Sequence, residues 1–282
     1  MTSWKIVTDS SCDFRYIDGL PPQVDFEAVP FNITIGNDTI VDDGNTPTSE
    51  VIEAFRREKQ KSTTACPSPE SFAKTFEEAD NVICITISSQ LSGSYNSANI
   101  ARNIVLEKYP QKNIYILDSK SASTEMNLLV SKCLELIQDN LEFDALIQQL
   151  HKYHHSLRIN FLSFSVNNLV KNGRVPKIIG QMIGMLGINL IGRRTPQGTI
   201  ELAHKSKGKK RSFKAMVKEM ENQGYDGGHI DITHANNEEN AQEFIEFISQ
   251  HYPHLTYTLH LATNLNTYYV EDGGLILSYH HS

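Results

Sequence analysis

The chain has little sulfur with which to cross-link itself. Its four cysteines, Cys12, Cys66, Cys84 and Cys133, are widely scattered and form no CxxC pair. That pattern argues against a disulfide framework or a cysteine-rich zinc site and fits free thiols in a reducing compartment. The GxSxG nucleophile elbow, the P-loop and the GxGxxG dinucleotide turn are all missing. His154 and His155, His251 and His254, and His280 and His281 have no carboxylate or cysteine partner at ligand spacing. They read as surface or internally satisfied histidines, so neither a metal nor a cofactor is expected. A long hydrophobic run is lacking too. The greasiest stretch, 178–192, holds 15 residues broken by four glycines, Gln181 and Asn189, too few and too interrupted to span a bilayer. No basic segment followed by an apolar one opens the chain, so the sequence predicts a cytoplasmic protein. An excess of positive charge is also absent: the formal net charge is −7, which argues against nucleic acid as a ligand of the whole surface. One cluster runs against that trend, with Lys205, Lys207, Lys209, Lys210, Arg211 and Lys214 within ten residues. It suggests a local contact with an acidic partner or a phosphate, or else a solvated helix start.

What is present is an ordinary globular composition, 39% hydrophobic and 21% charged over 282 residues, enough for one large or two medium domains. Strands are predicted over 5–8, 27–35, 39–41, 81–87 and 113–117. Between them, Thr46-Pro47 and Pro67-Ser68-Pro69-Glu70 open helices, and further helices follow residues 93 and 121. Strand, small-residue turn and helix repeat, and the continuous apolar run at 81–87 is that of a strand covered on both faces. The rhythm predicts an α/β parallel-sheet domain over 1–155, ending with a helix over 143–155. Beyond it the order changes: a strand over 158–163, helices over 166–172 and 177–186, paired strands at 188–191 and 199–203 across Pro196-Gln-Gly198, then alternating helices and strands to the end. This predicts an α+β domain with a mixed sheet over 156–282, packed directly on the first.

The pattern with most chemical content is Ser88-Ser-Gln-Leu-Ser92-Gly93-Ser94, between a buried strand and a helix. A helix start leaves N–H groups unpaired and carries partial positive charge, so it can hold an anion. Gly93 permits close approach, and Ser92 and Ser94 offer hydroxyl donors. The same serines would serve equally as helix caps. Thr63-Thr64-Ala-Cys-Pro67-Ser68 is a second small-hydroxyl turn, and residues 9–13 and 118–121 are further turns at strand ends, where open α/β sheets place ligands. A hydrolase or acyl-transfer enzyme using Ser92 needs a base, and no histidine can be assigned to it, so no catalytic residue is expected.

Taken in order, Ile6-Val-Thr-Asp-Ser-Ser-Cys-Asp13, Thr64-Ala-Cys-Pro-Ser68, Ile87-Ser-Ser-Gln-Leu-Ser-Gly-Ser-Tyr95, Asp118-Ser119 and Leu169-Val-Lys-Asn-Gly-Arg174 resemble the DegV family over essentially the whole chain. That family includes the fatty-acid-binding subunits of bacterial fatty acid kinase. The resemblance implies a fold shared with dihydroxyacetone kinases and one acyl chain buried between the domains. It also implies a carboxylate held by Thr64 and Ser92 with the Gly93 N–H. The family's partner-contacting arginine falls on Arg174, and a second basic position on Lys207 or Arg211. The family's His-Thr-Gly-Pro-Gly appears here as Tyr269-Val-Glu-Asp-Gly273, so Tyr269 stands where the family has a histidine, and Glu271 and Asp272 could repel an anion if they face it. The implied protein binds a long-chain fatty acid and presents it to an ATP-dependent kinase subunit. A lipid-binding protein unconnected with a kinase is the alternative. The tail needs a dry slot, for which the Ile-, Met-, Leu- and Gly-rich run 178–191 offers a wall. The head needs donors, because a buried carboxylate is costly without charge-assisted hydrogen bonds.

Overall fold

The computed structural model describes residues 3–57, 62–175 and 188–281. β1 (Trp4–Asp9) and β2 (Val24–Val29) lie parallel, and the chain then leaves for a small antiparallel sheet of β3 (Asn32–Ile35), β4 (Asp38–Val41) and β5 (Ser62–Ala65), with α1 (Thr48–Arg57) inserted. It returns through α2 (Pro69–Phe76) to β6 (Asn81–Thr86), α3 (Ser94–Lys108), β7 (Asn113–Asp118), α4 (Thr124–Gln138) and α5 (Phe143–Ser156). The parallel sheet has the order β2-β1-β6-β7.

Side-chain alternation explains why β6 is buried at every position. Ile83 and Ile85 point to the layer of α4 and α5, against Met126, Leu129 and Leu146. Val82 and Cys84 point to the layer of α2 and α3, against Phe72, Phe76 and Ala98. A central parallel strand therefore has no polar face to offer. Two sequence expectations change here. The strand expected over 27–35 is two strands, because Pro30 lies between β2 and β3 and cannot donate to a ladder, so the chain switches sheets there. The Thr63-Thr64 segment is not a turn but β5, whose Thr64 pairs with Ile33; two adjacent β-branched residues suit a pleated edge.

The second half supplies β8 (Leu157–Ser163), α6 (Asn167–Lys171), the hairpin β9 (Ile188–Arg194) and β10 (Ile200–Lys207), α7 (Lys209–Asn222), β11 (His229–His234), α8 (Glu238–Ser249), β12 (Thr256–Leu261), α9 (Asn264–Val270) and β13 (Leu275–His280). Its mixed sheet runs β10-β9-β8-β13-β11-β12, with only β11 and β12 parallel. The helix expected over 177–186, and most of the wall expected over 178–191, lie outside the described residues; Ile188 to Ile191 fall in β9.

One face of the mixed sheet packs on α7 and α8 through Leu162, Ile232, Leu277, Phe213 and Phe244. The other face presents Ile159, Phe161 and Ile276 toward the first half. Between the sheets stands α4, buried on every side over Thr124–Val130, as befits a helix between two layers. It ties them together through Thr124 to Ser278 at 2.7 Å and through Glu125 to Arg194, a bidentate pair at 2.8 Å. Asp13 adds a second fastening, accepting from Ser123, Thr233, Asn266 and the Thr263 N–H.

Candidate functional site

A cavity of about 360 Å³ opens between the carboxyl ends of the parallel strands and the inner face of the mixed sheet. Its size lies within the range of small-molecule sites, and its place is where open α/β sheets bind ligands. Apolar side chains make most of the wall: Phe31, Ile87, Leu91, Ile159, Phe161 and Ile276 among them. Three of the expected turns reach it, the segment around Thr64 to Cys66, the loop at Leu91 to Gly93 and the loop at 120–123.

Four residues expected at the head-group position, Thr64, Ser92, Gly93 and Tyr269, all line this one cavity. Their arrangement has a physical cause. Gly93 is the N-cap of α3 and uses no side chain as a cap; a Cβ there would lie 3.4 Å from Cys66 Sγ, so the residue leaves room at a crowded helix start. Among the described residues none accepts the Gly93 N–H. Ser92 Oγ accepts the Ser94 N–H at 3.2 Å, which leaves its own proton free to be donated. Ser94 is not a ligand donor as its spacing suggested: it is fully buried and its hydroxyl donates to Asp9 at 2.5 Å.

Asp9 lies behind the site rather than in it. It accepts from Ser11, Ser94 and the Ile87 N–H, and so fixes both flanks of the loop that carries Ser92. Burial pushes its pKa up, and the hydrogen bonds from Ser11, Ser94 and Ile87 act in the opposite direction. Within the loop, Asp118 accepts from Ser89 N–H and Oγ, at 3.1 and 2.6 Å. The loop is preorganised by two carboxylates that face away from the ligand space.

Tyr269 comes from α9, a helix with no counterpart among the sequence expectations. Thr263 caps it, accepting from the Asn266 N–H, and Tyr268 and Leu265 root it against Phe31 and Ile33 of the small sheet. Tyr269 Oη and Thr64 Oγ1 lie 2.7 Å apart. One of the two protons is spent between them, and the other is available to a ligand. Burial raises the Tyr269 pKa, against the opposing effects of the Thr64 bond and the Arg174 charge, so the phenol keeps its proton at neutral pH. Glu271 and Asp272 do not face the cavity. Glu271 accepts the Asn168 N–H at 3.0 Å, and Asp272 pairs with Arg56 and Asn236.

The expected partner-facing residues divide. Lys207, at the end of the edge strand β10, and Arg211, in the first turn of α7, are exposed and away from the cavity. Arg174 lines the cavity and donates to Asn172 O at 2.8 Å. Its charge reaches Tyr269. Lys120 reaches the lining from the turn expected over 118–121, whereas sequence reasoning missed Arg193, Arg194 and Phe161. The strand glycine Gly192, which sits under Phe161, was the available signal for the last of these. Gly198 was another: its φ of +93° shapes the β9–β10 turn, its carbonyl accepts from Ser88 Oγ at 2.7 Å, and so the hairpin closes over the loop.

No histidine is among the cavity-lining residues described, and the described residues hold no group of His, Cys, Asp and Glu that could bind a metal. His154 is a satisfied core histidine, 2.7 Å from Ser119 O and 3.6 Å from Glu125. Burial lowers its pKa, so it is a neutral hydrogen-bond donor rather than an ion-pair partner; Glu125 is served by Arg194. No described helix is long and apolar enough to cross a membrane.

Comparison with known proteins gives one answer along the whole length. A DegV domain-containing protein of Streptococcus gordonii is 39% identical over 277 residues, 98% of this chain and 99% of that protein. The fatty acid kinase B3 protein of Streptococcus pneumoniae, solved loaded with linoleic acid, superposes with a TM-score of 0.96 at 36% identity, covering 99% of this chain and 100% of that one. A DegV family protein of Eubacterium eligens loaded with heptadecanoic acid gives 0.94 at 31% identity with the same coverage, 99% and 100%. With residues 3–279 matched by the family described as "Uncharacterised protein, DegV family", the chain belongs to the DegV family.

Proposed function

We propose that this protein binds a long-chain fatty acid in the cavity, with the carboxylate at Ser92, Gly93 and Thr64, and presents it to an ATP-dependent kinase. The observation that carries the reading is the joining, in one cavity, of a mostly apolar wall to a helix start with an unclaimed N–H and free hydroxyl protons. Related structures at 36% and 31% identity hold linoleic and heptadecanoic acid, which supports the same ligand class here.

The division of labour follows from the chemistry. Each methylene moved out of water contributes roughly 0.8 kcal/mol before ordering costs, so the tail dominates affinity. The head contributes direction. An anion at the start of α3 meets the positive end of the helix, and hydroxyl and amide donors replace its lost hydration. Tyr269 holds Thr64 in place and takes the family histidine's position with a neutral donor. Arg174 adds positive potential nearby.

This chain supplies no chemistry of its own in that account. A Ser92 nucleophile has no histidine base among the described lining residues. Phosphorylation of the carboxylate by ATP, giving an acyl phosphate and ADP, belongs to the partner. The basic start of α7 supports a docking role. Lys209, Lys210 and Arg211 occupy its first turn, with no acidic residue there, an arrangement that works against the helix dipole. Local charge placed against a structural preference is expected where a surface serves a partner.

Titration calorimetry of the delipidated protein with oleic acid and with oleyl alcohol tests the reading. The acid should bind clearly more tightly than the alcohol, which shares the tail and lacks the anion. Equal affinity, or none for either, would contradict it.

A further inference from the structure

Building on the fatty-acid reading, we infer that Phe161 sets the length of chain the protein accepts, acting as a divider between the main cavity and a second apolar pocket. The ring belongs to β8, where Phe161 pairs across strands with Gly192 on β9 and Ile276 on β13. A Cβ built on Gly192 would fall 2.1 Å from Phe161 Cζ and 2.3 Å from the nearer Cε. No real contact is so short, so the ring lies directly on bare glycine backbone, in a slot that exists only because residue 192 has no side chain.

Behind the ring is a pocket of about 10 Å³, room for one water-sized sphere, whose described walls are aliphatic apart from Phe161 itself. Val166 and Leu190 belong to that pocket alone, whereas Phe161, Leu169 and Ile200 line both spaces. Of the three shared residues Phe161 is the largest. Leu169 is buried in α6, while the Phe161 ring is only partly buried, as expected of a group bordering open space. Removing the ring joins the two spaces. Adding a methyl at 192 evicts it, and the cavity is the open side into which it can turn.

One ring thus answers to two substitutions with opposite consequences, which a purely structural role would not produce. Saturated fatty acids from C14 to C22 are titrated into the delipidated full-length protein, its Phe161→Ala and Gly192→Ala variants, and Phe161→Leu as a milder change, with melting curves to verify folding. The expected result is that Phe161→Ala moves the length cut-off toward longer chains, Phe161→Leu moves it less in the same direction, and Gly192→Ala moves it toward shorter ones. At the chain lengths nearest the cut-off, affinity should change by about fourfold per methylene gained or lost. A wild-type protein that discriminates by length while the folded variants keep its profile, or all shift the same way, overturns the assignment. A wild-type protein that binds no fatty acid overturns the underlying reading and this one with it.

Discussion

The pairing of Thr64 with Tyr269 permits a test that separates head-group binding from tail binding. If Thr64 donates to the carboxylate while Tyr269 orients it through the 2.7 Å bond, the two substitutions should differ in size and should not add. Thr64→Val removes a hydrogen bond to a charged group, about 1.5–3 kcal/mol, or roughly 10- to 150-fold in Kd. Tyr269→Phe removes only the neutral orienting bond, about 1 kcal/mol or roughly fivefold. In the Thr64→Val background the tyrosine has nothing left to orient, so Tyr269→Phe should then cost close to nothing. Competition binding of palmitic acid to the four proteins of the cycle gives the numbers, and methyl palmitate serves as the control because it carries the tail without the anion. Both variants should bind the ester as the unmodified protein does. Strictly additive losses, or equal losses toward acid and ester, would refute the orienting role and place the effect in the packing of α9.

Three further outcomes follow from the contacts between the sheets. Arg194→Met strands the fully buried Glu125 and should cost about 3–5 kcal/mol, a melting shift of roughly 6–20 °C, with most of it recovered in the Arg194→Met, Glu125→Met double variant; no recovery would show that Arg194 acts by packing instead. Gly198→Ala puts a Cβ 2.4 Å from Ser88 Oγ at a φ of +93° and should lower the melting temperature more than Gly173→Ala, whose φ is +70° but whose surroundings are open; equal effects would mean that the hairpin does not bear on the Ser88 loop. His154 has a folded-state pKa held below its unfolded value by burial, so its contribution to stability is present above about pH 6.5 and is lost as the pH falls through the folded value. Melting temperature should therefore fall on the acid side of neutrality, with a shallower slope in His154→Gln; an unchanged slope would exclude this residue as a source.

Much of the architecture could be read from periodicity. The apolar run that became β6 and the serine–glycine turn before α3 each follow from a local rule, since a doubly covered strand has no polar face and a helix start needs donors accounted for. Where reading failed, the deciding force was not local. Pro30 splits one expected strand because two sheets, invisible to a sequence window, compete for its flanks. Ser94 looks like Ser92 until Asp9, 85 residues away, claims its hydroxyl. Tyr269 was legible through family resemblance as a substituted histidine, but its bond to Thr64 joins residues 205 apart and required the fold. Arg174 shows the same limit, since its sequence motif marks a basic position and only packing places it in the cavity wall.

A crystal structure of the protein loaded with a single fatty acid puts the central claim to its most direct test. The account predicts carboxylate oxygens within about 3 Å of Ser92 Oγ and the Gly93 N–H, the distance of charge-assisted hydrogen bonds, with the tail running against Ile159, Phe161 and Ile276. A ligand lying the other way, its carboxylate against Lys120 or Arg193 and its methyl end at Ser92, would contradict it.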